Sequence, residues 1–318
     1  MLIFCLNRLD MTGQAAVMEP VHGVTSVAFS SDGKIIAASF ANGIVKMWST
    51  ETGKIIREIE PEPSKINSIS FSPDAYTLGI ACDDNTIKLW DVLSGTGVTT
   101  LRGHSSRVVQ VTFSPDNEYL ASASSSDKPI PDSVKIWHKV TGDCIATFND
   151  HPEGAMSVAY SRDGKILTSG GSRDGMIVMR DTVEKTKIKE FPAHGTYVLD
   201  LEFSPDGRYL ASAGADYAVK IWDLKHNCKR RHYFKHPFLV SSLSYSPDGK
   251  KLATGCYDQK VRIWEIDYGR EIKTLKGHAG NVECVAYSPD GSWIASGGFD
   301  DMVILWSAES GTCGFVLK

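Results

Sequence analysis

The 318-residue chain carries no Cys-x-x-Cys pair, no excess of one charge and no long apolar run. Its seven cysteines (Cys5, Cys82, Cys144, Cys228, Cys256, Cys284 and Cys313) are odd in number and scattered. That suggests neither a disulfide framework nor a zinc site, and free thiols fit a reducing compartment. Lys and Arg number 34 against 38 Asp and Glu, a net charge of −4, which argues against a dedicated nucleic-acid binder. The opening Met1-Leu2-Ile3-Phe4-Cys5-Leu6 is too short for a signal-peptide core and far too short to span a bilayer. A cytoplasmic or nuclear location, away from any membrane, is the expectation. No Gly-rich phosphate loop, metal-spaced cluster or paired-carboxylate motif stands out, so no cofactor, metal or catalytic residue is expected. Helical periodicity is missing too.

What is present is repetition. A five-residue signature (apolar, variable, apolar, Trp, then usually an acidic or small polar residue) occurs at 45–49, 87–91, 134–138, 177–181, 219–223, 261–265 and 303–307. From Trp to Trp, with Arg180 standing in once, the steps are 42, 47, 43, 42, 42 and 42 residues. A fixed period of this size signals a repeat architecture. The last copy shows the unit: an alternating strand at 281–287, the turn Ser288-Pro289-Asp290-Gly291, a strand at 293–296, a turn, a strand ending at Trp306, and a last apolar stretch. The Ser-Pro-Asp turn recurs at Ser72, Ser114, Ser204 and Ser246, and is varied to Ser31-Asp32-Gly33 and Arg162-Asp163-Gly164. One four-stranded sheet cannot bury both of its faces; seven set radially bury each other's.

Gly103-His104 and Gly277-His278 head two of the repeats, and His151, His194 and His236 fill the same position elsewhere. Counting from this His, Ser or Thr stands at +18, Asp at +22 and Trp at +28 in three consecutive repeats. These sets are His194, Ser212, Asp216, Trp222; His236, Thr254, Asp258, Trp264; and His278, Ser296, Asp300, Trp306. On these residues the chain resembles the WD-repeat family over roughly residues 19–318. The resemblance implies an all-β, seven-bladed β-propeller of four-stranded antiparallel sheets, with residues 1–18 as an extra strand or tail. It also implies that the four-residue set is a buried structural chain from Trp to Asp. A Ser, a His and an Asp resemble a nucleophilic triad, but an active site occurs once and this set recurs.

The copies are unequal. The first two repeats carry Pro20 and Glu62 at the His position, and Ala38 and Ile80 at the Ser position, so neither can form the chain. The N-terminal blades are therefore expected to be the less stable half. The fourth has His151, Ser169 and Asp174 with Arg180 for Trp. The third has His104, Ser122 and Trp137 with about five extra residues within 123–132, either a tolerated surface insertion or a partner-contacting loop. Residues 312–318 keep the register of an outer strand and are the favoured closure of the last blade, with 12–18 as the rival. The chain stops where another His position would begin, the pattern of a fragment or short isoform.

The expected function is a non-catalytic protein-interaction scaffold or adaptor that binds proteins or peptides at the channel mouth, as a monomeric propeller within a larger complex. Residues preceding each turn Asp, and those at +3 and +5 from the His position, should crowd around that mouth. Among them Tyr197, Leu239, Tyr257 and Phe299, flanked by Arg107 and Arg173, form the candidate partner patch; aromatics packed on neighbouring loops are the plain alternative. The basic stretch 225–235 either protects an edge strand or receives an acidic or RNA partner. The segment from Leu210 to Lys225 is similar to the box by which some WD-repeat proteins dock on the adaptor of cullin-type ubiquitin ligases, with Lys225 where the box has Arg. A ligase substrate receptor and an RNA-associated subunit are the alternative functions.

Overall fold

The computed structural model describes residues 23–61 and 64–318. Within them, 28 strands, β1 to β28 in chain order, build seven four-stranded antiparallel sheets. Each sheet takes four consecutive strands, so every blade is a meander made from one sequence repeat. The inner strands, from β1 (Val24–Phe29) and β5 (Ile66–Phe71) round to β25 (Val282–Tyr287), line a central channel.

Period-two alternation puts apolar side chains on both faces of each blade, and seven buried clusters straddle the seven blade-to-blade gaps. Phe234 of blade five stacks on Trp264 of blade six with ring centroids 4.5 Å apart. The last gap joins blade seven to blade one: Val24, Ile36 and Trp48 pack with Cys284, Ala295 and Leu305. A Cβ added to Gly297 would lie 2.3 Å from Val24, so only glycine lets those two blades close there. The outermost strand of blade seven is β28 (Cys313–Leu317), paired with β27 (Val303–Ser307). The rival closing segment at 12–18, the whole segment 1–18, and the His-position residues Pro20 and Glu62 lie outside the described residues.

One end of the ring is knitted by the Ser-Pro-Asp turns. The Ser288 hydroxyl donates to Asp290 at 2.5 Å and accepts the Trp293 N–H at 2.9 Å, closing the turn on its own side chains. Gly249 and Gly291 (φ 70° and 74°) supply the left-handed residue and rest against Pro205 and Pro247 of the preceding blade. The other end carries the His loops and the Asp turns, and with them the channel mouth.

Candidate partner-binding site at the channel mouth

The mouth is held by loops that must be tied to the sheets behind them. In blade five the Trp222 indole N–H donates to the Ser212 hydroxyl oxygen at 2.9 Å, and Ser212 meets His194 Nε2 at 2.8 Å. His194 Nδ1 meets Asp216 at 2.7 Å. An indole only donates and a carboxylate only accepts, so the direction runs from Trp222 to Asp216 without ambiguity. Blade seven repeats the chain through Trp306, Ser296, His278 and Asp300, at 2.8, 2.7 and 3.0 Å. Burial alone would raise the Asp216 pKa, yet hydrogen bonds from His194 and Lys220 hold it far below the ordinary carboxylate range. Ser212 and Ser296 are fully excluded from solvent. Their lone pairs are engaged by indole N–H groups, so the hydroxyls cannot be reached by a substrate.

Besides blades one and two, where Ala38 and Ile80 replace the Ser, three blades that carry the His depart from this pattern. In blade six, Trp264, Thr254 and His236 are linked at 3.0 Å per step, but Asp258 does not complete the chain expected for it. Its carboxylate is gripped by both Nη atoms of Arg262 at 3.0 and 2.5 Å, and His236 Nδ1 instead lies 3.3 Å from the Phe234 carbonyl. A guanidinium fork outcompetes a single imidazole N–H for one carboxylate. Burial, reinforced by Arg262, pushes the His236 pKa down to about 4. In blade three the acid is Asp132, at the end of the insertion; it faces His104 Nδ1 at 3.3 Å and accepts the Ser105 N–H at 2.9 Å. The insertion itself is docked on blade four. Ser126 and Ile130 donate their N–H groups to the Glu153 and Pro152 carbonyls, Ile130 is buried, and Asp127 pairs with Arg173 at 2.9 Å. In blade four, His151 contacts Ser169 and Asp174 as elsewhere, at 2.9 and 2.8 Å. Arg180 turns from the chain to clamp Asp150 at 2.6 and 2.7 Å, with its guanidinium 4.3 Å above the Phe148 ring.

The structure divides the six candidate contact residues. Arg107, Leu239 and Tyr257 line a pocket of about 150 Å³ at the channel mouth, beside Lys65, Met156 and Leu199. Cationic side chains therefore stand on blades two and three, joined there by Val109, and most of the apolar ones on blades four to six. Phe299 lies behind this wall: its ring sits 5.8 Å from Tyr257, edge-on, and covers Gly23. Tyr197 and Arg173 form a separate cluster, in which Arg173 Nε donates to the Tyr197 hydroxyl at 2.8 Å while its two Nη atoms face Asp127 and Glu153. Arg173 is thus engaged within the chain.

One apolar feature was not assigned from the sequence. Tyr217 and Phe238, 47% and 54% exposed, add apolar surface in the Asp turn of blade five and the His loop of blade six; Tyr217 follows a turn Asp and adopts φ 66°, a signal that turn counting could have supplied. The channel also holds acids. Glu283 accepts a hydrogen bond from the Tyr257 hydroxyl at 2.7 Å, and burial pushes its pKa up to about 7. Asp200, deeper down, accepts the Leu243 N–H at 2.9 Å and a Gln110 amide at 3.2 Å across the channel, with its pKa raised by burial to about 6.

The WD domain, G-beta repeat, matches the chain at 53–91, 95–138, 142–181, 185–223, 227–265 and 269–307. The Anaphase-promoting complex subunit 4 WD40 domain matches 6–65. Over 55 residues the chain is 38% identical to WD repeat-containing protein 36 of Homo sapiens, a stretch covering 17% of this chain and 6% of that protein. Among the described residues no helix is long and apolar enough to cross a membrane.

Proposed function

The chain belongs to the WD-repeat family, whose propellers generally serve as non-catalytic platforms for protein–protein interaction, and from that premise we propose that it is a scaffold or adaptor binding a protein or peptide at its channel mouth. One observation carries this reading. The pocket there sets Lys65 and Arg107 opposite Met156, Leu199, Leu239 and Tyr257, so a single opening offers charge on one wall and apolar surface on the other. Aromatic and Arg side chains are the types that dominate binding energy at interfaces. The likeness of residues 6–65 to a subunit domain of the anaphase-promoting complex supports a place for the propeller as one subunit of a larger assembly.

The test is quantitative affinity purification of wild type against a Leu239→Ala/Tyr257→Ala variant, with melting temperature as the control. Phe299 is left intact because it supports Tyr257 from behind. Loss of specific co-purifying proteins from a chain that still folds is expected, with only a modest fall in melting temperature from the lost Tyr257–Glu283 hydrogen bond; full recovery of every partner would sink the reading. Co-purification of a cullin adaptor, or of RNA, would identify the more specific roles that the sequence raises.

A further inference from the structure

We propose that the outer rim of blades four to six is a second docking surface, which receives an acidic, extended segment of a partner protein along β20 (Lys229–Lys235). The outer strands of these three blades, β16 (Lys187–Pro192), β20 and β24 (Arg270–Lys276), hold nine Lys and Arg against two Glu. The outer strands of the other four blades hold two against one, in a chain whose net charge is −4.

Structural duty accounts for some of these cations. Lys189 reaches the Asn227 carbonyl at 2.6 Å, Lys273 the Glu309 carbonyl at 2.5 Å, and Arg231 donates to the Tyr209 hydroxyl. It does not account for Lys229, Arg230 and Lys235, which have no acidic partner among the described residues and share a strand with no acid. Edge protection does not explain them either, because β12 (Cys144–Phe148) and β28 are outer strands with no charge at all.

The sheet order ends at β20, so among the described residues no strand lies beyond it. Its cations repel the same edge of a second copy and attract an acidic strand. Tyr233, 49% exposed with the Arg230 guanidinium 5.5 Å from its ring centre, and Ile188 on the neighbouring rim, 52% exposed, add apolar contact between the charges. A continuous phosphate backbone would also meet Glu190, Asp267 and Glu271 along this rim, whereas a peptide can set its acids against the cations alone.

The experiment measures fluorescence anisotropy of a labelled synthetic peptide alternating Glu and Val, a Gln–Val control and an oligouridine of similar length. Each is titrated with the full chain. The Glu–Val peptide is expected to bind about tenfold tighter than the control and to weaken as salt rises. The Lys229→Gln/Arg230→Gln/Lys235→Gln variant is expected to lose about tenfold at unchanged melting temperature. The Leu239→Ala/Tyr257→Ala variant should bind the peptide normally, so the rim and the channel mouth stand or fall separately. Equal binding of the two peptides, undiminished binding by the rim variant, or tighter binding of oligouridine would overturn the proposal.

Discussion

Where blade five buries the Ser212 hydroxyl, blade two buries the Ile80 side chain, and both positions are wholly excluded from solvent. The first is satisfied by Trp222 and His194; the second packs with Val45, Ile66 and Leu78 in the gap between blades one and two. Both solutions leave no orphaned polar group at that position. What they share is a lysine. Lys220 of blade five bonds the Ala193 carbonyl at 2.5 Å and faces Asp216 at 3.1 Å, and Lys88 of blade two bonds the Pro61 carbonyl at 2.8 Å and faces Asp84 at 3.5 Å. The cation tying loop to sheet is thus common to a blade with the polar chain and a blade without it. The His–Ser–Trp chain is an additional tie, and its worth is measurable.

The largest effect is expected from cutting that tie. Ser296→Ala leaves the Trp306 indole N–H and His278 Nε2 buried without partners, at a cost of about 2–4 kcal/mol. The reciprocal change, Ala38→Ser in blade one, buries a hydroxyl near Trp48 but with Pro20 at the His position, so its O–H has no imidazole to donate to, at about 1–3 kcal/mol. Denaturant or thermal melts decide both. A neutral Ala38→Ser would mean that blade one already holds a usable partner, and the contrast between the blades would collapse.

The inner strands sharpen the contrast with the opposite sign. At the position where blades one and two carry Thr25 and Asn67, blade seven carries Glu283. Its folded pKa of about 7 exceeds the ordinary 4.5, so the native state keeps a proton that the unfolded state has released. Its contribution to stability therefore falls as pH rises between those values. Glu283→Gln still accepts the Tyr257 hydroxyl and should gain on the order of 1–3 kcal/mol at pH 8 and nothing at pH 4. A gain that is flat with pH would remove the desolvated carboxylate from the account.

A smaller difference is expected in local opening. If the tie restrains whole blades, amides of blade two should exchange through openings about 1–2 kcal/mol cheaper than those of blade five. Native-state hydrogen exchange reads this directly; earlier opening of blade five would reverse the comparison.

Much of this contrast was legible in the sequence, because strand period, turn chemistry and the spacing from His to Trp are local and repeat. The losses came where a partner is chosen by competition or from another blade. Asp258 has the spacing of a chain member, but Arg262 four residues on takes its carboxylate. Asp132 was hidden by the insertion that displaces it, and the docking of that insertion depends on the Pro152 and Glu153 carbonyls of the next blade. The mouth residues were countable from the His position, yet that Arg173 is held by Asp127 and Glu153 could not be read from spacing.

The smallest expected effect is also the strictest test of interchangeability. Blade four replaces the indole with Arg180, whose partner Asp150 stands immediately before His151, where blade five has Ala193. Arg180→Trp alone strands Asp150, which would keep only Lys187 at 3.2 Å. The double change Arg180→Trp/Asp150→Ala rebuilds the blade-five arrangement: the new indole can donate to Ser169 and lie over Phe148 as the guanidinium does. Replacing a mostly buried ion pair by apolar side chains of adequate fit is often close to neutral, so the double variant should melt within about 1 kcal/mol of wild type and above the single variant. If the double variant is the less stable of the two, the Arg180–Asp150 clamp is no substitute for the Trp chain but a different structural solution, and the seven blades cannot be ranked on one scale.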